Sequence, residues 1–343
     1  MLYAETELLE RWGTLLRYIF KRVLHMIPVF LLVSLIVFTI NYFSPGDPVT
    51  DILGPEATAE QIEAKRAELG LNDPYFVQFG SYLMKIFTKF DFGTSYKTGR
   101  PVIDEILERA PTTFLLTLSS MLLATVLGIT LGIISATKQY SIFDYLANFI
   151  ALFGASMPAF WLGLMLMLLF SLKLGWLPAS GYTTPLHWIM PSVAIAVLPI
   201  ANITRTTRSS MLDVIRQDYM TTARSKGLNE SRIIIKHGLK NALIPVITIL
   251  GIQMGRTLGG AIVTESIFSI PGLGLLMMNS IKGKNYPSIQ GSILFCALAF
   301  CVINLLVDIL YAYIDPRIKA QYVRSSVRKP GRSAVPAPEN KNE

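Results

Sequence analysis

Six apolar runs, at 23–43, 114–135, 145–172, 188–204, 242–264 and 286–307, decide what this chain can fold into. At 1.5 Å per residue a helical run of this kind crosses a hydrocarbon layer of ~30 Å, and inside that layer each backbone N–H and C=O must be satisfied within the segment itself. The composition agrees, with 52% hydrophobic and only 16% charged residues, a balance too apolar for a water-soluble chain of this length. The expected fold class is an all-α polytopic membrane protein with six transmembrane helices. The fourth run is the shortest and holds Pro191 and Pro199, which spanning helices tolerate; Pro158, inside the third, marks a kink.

Lysine and arginine in the loops set the orientation of such a bundle, while acidic residues count for little. With the N-terminus inside, segments 1–22, 137–145, 204–241 and 313–343 hold four, one, eight and seven basic residues, whereas the outer loops 173–187 and 265–285 hold only Lys173, Lys282 and Lys284. The basic residues of 44–113 weigh little, because loops beyond ~60 residues translocate regardless of charge. Both termini are therefore expected to be cytoplasmic. The formal charge of +8 is on this reading a topology signal and requires no nucleic-acid partner.

Lys21-Arg22 and the run after them could also open a signal peptide, but the run is too long and ends in Ser44-Pro45-Gly46-Asp47 without a small-x-small cleavage site. It is kept as a span. Ahead of it Leu8, Leu9, Trp12, Leu15, Leu16, Ile19 and Phe20 recur at helical spacing, with Arg11, Arg17 and Lys21 on other faces. That pattern describes a helix over 1–22 lying in the inner interface. The tail after Tyr322, within the cytoplasmic segment 313–343, has the composition of a disordered segment drawn to anionic lipid. Cys296 and Cys301 do not share a helix face, so no disulfide is expected between them.

The outer segment 44–113 is too long for a plain connection. Thr58 with Gln61 has capping-box spacing, Gly70 stands where that helix would end, and a second helical stretch at 75–87 follows Pro74. Two roles fit it, a cap packed on the outer helix ends or an element that receives a delivered solute and closes the outer mouth. On the other side, the loop 204–241 holds a short helix over 219–226, with Asp218 as its N-cap and Gly227 as its stop. Asn229 can cap a following helix in which Arg232, Lys236 and Lys240 form a basic stripe beside Ile233, Ile234 and Leu239. The pair is expected as a helix-turn-helix under the membrane. Anionic headgroups alone would suit its charge, but the order of caps and glycine argues for a docking element.

At these residues the chain resembles a known family. The stretch 219–245 is similar to the Glu-Ala-Ala loop of permease subunits of bacterial ATP-binding-cassette importers, with Ala223 at the second alanine and Gly227 four residues on. Thr221 and Thr222 replace the Glu and first Ala, and the proline of the pattern is displaced from near Lys240 to Pro245; both departures are typical of the branch importing di- and oligopeptides and nickel. Further marks follow in family order: Pro45-Gly46-Asp47-Pro48, Asp91-Phe92-Gly93-Thr94-Ser95, Thr207-Arg208-Ser209-Ser210-Met211, Pro271-Gly272-Leu273-Gly274, Asn304-Leu305-Leu306-Val307-Asp308 and Asp315-Pro316-Arg317. The resemblance covers nearly the whole chain apart from its ends and points to the first of two permeases, the one with the long outer segment. It implies the type I importer permease fold in a bacterial or archaeal plasma membrane. It also implies four kinds of partner: a second homologous permease, two ATPase subunits, an extracytoplasmic solute-binding protein and membrane lipid. ATP and Mg would sit on the ATPase subunits, with no cofactor or metal on this chain. The coupling residues it implies are Asp218, Tyr219, Thr222, Ala223, Lys226 and Gly227, seated in a groove of an ATPase subunit.

Inside the spans the residue most out of place is Arg256, whose insertion costs ~2.5–3.5 kcal/mol and which must face water, a partner or an acid rather than lipid. Structural pairing with another helix and lining of the path beside Gln253, where it would meet a substrate carboxylate, are both open. Gly251, Gly255, Gly259 and Gly260 make small-residue repeats suited to close helix packing, and Asp308 is placed to order the cytoplasmic end. No Gly-x-x-x-x-Gly-Lys-Ser/Thr loop occurs, and His25, His187 and His237 are scattered, so neither an ATPase nor another enzyme is indicated. An ion-coupled secondary transporter would show inverted repeats, which are not detected, and a channel would need a filter-like element.

Overall fold

The structure is a computed structural model and describes residues 2–45, 47–54 and 56–314, with side chains omitted for 2–18, 51 and 310–314. The expected tail therefore lies outside the described residues, as do Asp315 and Arg317. Among the described residues the regular structure is helical, with one isolated antiparallel bridge between Thr94 and Pro101. Among the described residues five helices are long and apolar enough to cross a membrane, and a bent helix pair makes a sixth if taken as one span.

The first helix, α1 (Leu2–Tyr42), runs without a break through residue 22, so the amphipathic start and the first span form one element rather than two. The described residues of segment 44–113 then build three helices, α2 (Pro48–Leu53), α3 (Ala59–Glu68) and α4 (Tyr75–Lys89), before the second span begins. Asp47 caps α2 by accepting from Val49 N–H and also pairs with Arg66 of α3 at 2.7 Å, which gives the Pro-Gly-Asp-Pro mark a fastening role. Thr58 and Gln61 form the expected capping box, and Gly70 follows α3 at φ +69°. An aromatic seam lays α4 antiparallel to α1: Tyr75 meets Tyr42 and Phe38, while Phe87 meets Phe30.

The second span is longer than its apolar core, because α5 (Val102–Thr137) already begins inside segment 44–113. It packs on α8 (Leu186–Ile215) through glycine. A Cβ on Gly128 would stand 2.7 Å from Ile203, and one on Gly132 would stand 2.5 Å from Thr207, so the backbones meet where a side chain would hold them apart. The fourth span likewise runs past the expected end at 204 to Ile215, with Pro191 and Pro199 inside it. The third is not a straight helix. Its halves, α6 (Ile142–Ala155) and α7 (Ala159–Leu166) with a π-helical continuation (Met167–Lys173), meet at 102°. Pro158 supplies the break, since its ring excludes the helical conformation just before it and it offers no N–H.

The fifth span also corrects an expectation. The short helix α9 (Asp218–Ser225) is followed by α10 (Glu230–Arg232), a π-helical segment (Ile233–Leu239) and α11 (Lys240–Phe268), which together form one rod, Glu230–Phe268. The basic stripe therefore sits on the stalk of the fifth span and not on a separate helix under the membrane. Beyond it α12 (Leu273–Lys282) precedes α13 (Tyr286–Ile314). Buried Glu265 holds the start of α12: its carboxylate accepts from Thr113 Oγ1 at 2.6 Å and from Gly274 N–H at 2.7 Å. The Pro-Gly-Leu-Gly mark is the steric condition for this, because a Cβ on Gly272 would lie 2.3 Å from Glu265 Cδ and one on Gly274 2.2 Å from Ile262 Cα. At the far end of α12, Asn285 donates to Ser95 Oγ at 2.8 Å and accepts from Tyr96 N–H at 3.0 Å. Glu105 of α5 completes that cluster by accepting from Thr98 Oγ1 and Ser288 Oγ, and burial lifts the Tyr96 phenol to about 12.

Candidate coupling and translocation surfaces

Helix α9 hangs between the end of α8 and the stalk, and its two faces differ. Met220 and Ala223 are buried against Ile233, with Val214, Ile215 and Leu228 around them. Gly238 lets the stalk come close, since a Cβ there would meet the methyls of Met220 and Met211 at 3.3 and 3.4 Å. The opposite face exposes Asp218, Tyr219, Thr222 and Lys226. The cap differs from expectation: Gln217 holds the N-cap position without a side-chain capping bond, its Nε2 donating back to the Asp213 carbonyl at 3.2 Å, and Asp218 is the first helical residue. Thr222 donates its hydroxyl to the Asp218 carbonyl at 3.0 Å, and Tyr219 accepts from Asn241 Nδ2 at 3.0 Å. Gly227 does stop the helix, at φ +74°, a conformation strained for any side chain. Asn229 caps α10 as expected, accepting from Ser231 N–H. Arg224 and Glu230 close the turn with a forked pair, 2.9 Å at its shortest, and this contact holds the Arg224 guanidinium above its ordinary pKa.

Of the six residues expected to couple, the structure gathers Asp218, Tyr219, Thr222, Lys226 and Gly227 on the accessible side and turns Ala223 inward. Small size at 223 is explained by packing within the chain.

The two intramembrane residues are separated. Arg256, near the middle of α11, is exposed and makes no hydrogen bond or ion pair among the described residues. On its face Ile252, Gly259, Gly260 and Val263 are open as well, and a Cβ on either glycine would meet nothing within 4 Å. Gln253 is only 1% exposed and points into the bundle. The glycine repeat divides in the same way, because Gly251 and Gly255 pack on Val307 and Phe300 of α13 while Gly259 and Gly260 stay open. Asp308 pairs with Arg22 at 3.1 Å and ties α13 to α1.

One cluster was missed from sequence. Asp144 accepts from Arg208 through Nε and Nη2, both at 3.0 Å, and also from Ser135 Oγ, Asn148 Nδ2 and Tyr140 N–H. It joins α5, α6 and α8 just before the chain enters α9. The available signal was Ser141 three residues before Asp144, since Ser141 does cap α6.

Comparison with known proteins agrees with this arrangement. Residues 128–320 match the family described as binding-protein-dependent transport system inner membrane component, and residues 15–117 match its N-terminal membrane component. The dipeptide transport system permease protein DppB of Alkalihalophilus pseudofirmus is 44% identical over 333 residues, covering 89% of this chain and 100% of that protein. The glutathione transport system permease protein GsiC of Escherichia coli (strain K12) is 45% identical over 305 residues, covering 89% and 99%. A structure of the MetNI methionine ABC transporter in an inward-facing conformation has a TM-score of 0.54 at 16% identity, over 62% of this chain and 97% of that one, and so shares the fold. The chain belongs to the family of binding-protein-dependent transport system inner membrane components. It is a multi-pass membrane permease.

Proposed function

We propose that the chain is one of two permease subunits of an ATP-driven importer whose solutes are di- or oligopeptides. A second homologous permease completes the path, an extracytoplasmic binding protein delivers the solute, and two ATP-binding-cassette subunits bind ATP and Mg and perform the hydrolysis. Both termini are cytoplasmic in this reading. The observation that carries it is α9, a short helix fastened on one side by Met220 and Ala223 and presenting Asp218, Tyr219, Thr222 and Lys226 on the other. The names of the relatives, a dipeptide permease and a glutathione permease, support a peptide-like solute.

Substitution on the open face tests the docking role. Tyr219→Ala with Lys226→Glu should reduce co-purification of the ATPase subunits while leaving the chain folded; undiminished association and uptake would exclude α9 as the coupling element. Ala223→Asp is less informative, because it unpacks the helix from its own stalk.

Arg256 lines the path and meets the carboxylate of the solute, a role supported by its unpaired place on the open face of α11. Arg256→Ala should lower uptake with assembly unchanged, and wild-type transport kinetics in that variant would sink the path-lining role.

A further inference from the structure

Beside α9 lies a cavity of about 460 Å³ between the end of α5, the end of α8 and the stalk. Its apolar side is formed by Leu212, Ile215 and Ile234, and its charged side by Lys138 and Arg216. Arg224 also reaches it but is offset by Glu230. Neither Lys138 nor Arg216 has an acidic partner among the described residues. The cavity therefore combines an apolar wall with two cations that lack an acidic partner among the described residues, at the ends of two spanning helices.

Its level relative to the bilayer is marked by aromatic side chains. Lys138 lies over the ring of Phe143 at 4.5 Å from the centroid, and Tyr140, Phe143 and Tyr145 are 79%, 50% and 63% exposed at the start of α6. Exposed Tyr side chains such as Tyr140 and Tyr145 beside span ends gather at the headgroup level of a membrane, where an aromatic body meets hydrocarbon and a polar tip meets water. A groove there that is apolar on one wall and cationic on the other matches a lipid with an anionic head. Two of its apolar residues, Leu212 and Ile215, belong to a helix apolar enough to span a membrane, which suits an acyl chain better than a peptide segment of a soluble partner.

We infer that this cavity binds one anionic phospholipid, with its phosphate between Lys138 and Arg216 and an acyl chain against Leu212, Ile215 and Ile234. The inference rests on the proposed orientation, which puts these span ends in the cytoplasmic leaflet. A bound lipid would wedge between the α5 end and α9 and so set how firmly the coupling helix is held.

The test is native mass spectrometry of the purified transporter given phosphatidylglycerol or phosphatidylcholine, with a parallel titration of inorganic phosphate. Wild type should retain phosphatidylglycerol in preference, and Lys138→Ala with Arg216→Ala should weaken that retention roughly thirtyfold. Leu212→Trp, which fills the apolar side, should lower it with the charges intact. Equal retention by wild type and the double variant, or no preference over phosphatidylcholine, would overturn the proposal. So would displacement of the lipid by inorganic phosphate, which would make this a free-anion site, or its retention only after the ATPase subunits are stripped away, which would make the cavity part of their seat. Co-purification of ATPase subunits with the Tyr219 and Lys226 variants is read separately, so failure of the lipid site leaves the docking reading standing.

Discussion

Replacing Arg208 by alanine removes two charge-assisted hydrogen bonds, both 3.0 Å, from a carboxylate that is only 5% exposed. Taking one partner from a buried ion pair costs ~3–5 kcal/mol, chiefly because the other charge stays buried. Two features reduce that figure. The Arg208 side chain is 29% exposed, so water reaches part of it, and Asp144 keeps its donors from Ser135, Asn148 and Tyr140. We expect Arg208→Ala to cost ~2–3 kcal/mol. Arg208→Lys keeps the charge but not the planar fork and should recover about half of it. Asp144→Asn keeps the volume and removes the charge. A double-mutant cycle over these two sites, read by reversible unfolding of the purified chain in detergent, should give a coupling of more than ~1 kcal/mol, as expected for groups in one network. Coupling near zero, or a loss below ~1 kcal/mol for Arg208→Ala, would refute the view that this pair fastens α5, α6 and α8 together.

Gly274→Ala should be costly, because its Cβ would stand 2.2 Å from the Ile262 Cα, a backbone atom that cannot yield locally; the expected loss is ~1–3 kcal/mol or more, seen as faster proteolysis between α11 and α12. Asp47 is pulled upward by burial, but the Arg66 hydrogen bond, the Val49 N–H and the Arg66 charge together bring its pKa below 3.8. Its contribution is therefore present above 3.8 and lost as pH falls through the lowered value. Acid titration of proteolytic protection in α2 and α3 should show this loss in wild type and not in Asp47→Asn, with an amplitude of ~1 kcal/mol or less since Arg66 is well exposed. Gly132→Val should separate α5 from α8 and lower thermal stability more than Gly259→Val, which meets open space on the subunit surface; equal effects would contradict the packing described.

Local chemistry was legible in the sequence. Helix α3 could be read because Thr58, Gln61 and Gly70 specify its ends within a dozen residues, and the break at Pro158 because a proline acts on its own neighbours. The apolar cores of the spans were legible because lipid imposes length. Their true ends were not: α5 and α8 extend where neighbouring helices cover polar residues, which no hydropathy threshold reports. The role of Ala223 was hidden for a similar reason, since its inward direction depends on Ile233 of the stalk. Glu265 and Asp144 look like stray acids in the chain, and their partners come from helices 152 and 64 residues away. Two of the family marks touch those contacts, Arg208 by pairing with Asp144 and Gly274 by donating its N–H to Glu265.

The π-helical segment Ile233–Leu239 lies between α9 and Arg256. A π turn holds one residue more than an α turn, and each added residue rotates the remainder of the helix by ~100° about its axis. The stalk is thus a phase setter. With α9 fixed to its lower end, the extra residue determines which azimuth of α11 carries Arg256, Gly259 and Gly260. A regular α turn at the base would aim that stripe in another direction, so one short stretch of backbone fixes the angular relation between the helix this subunit exposes and the cation at its centre.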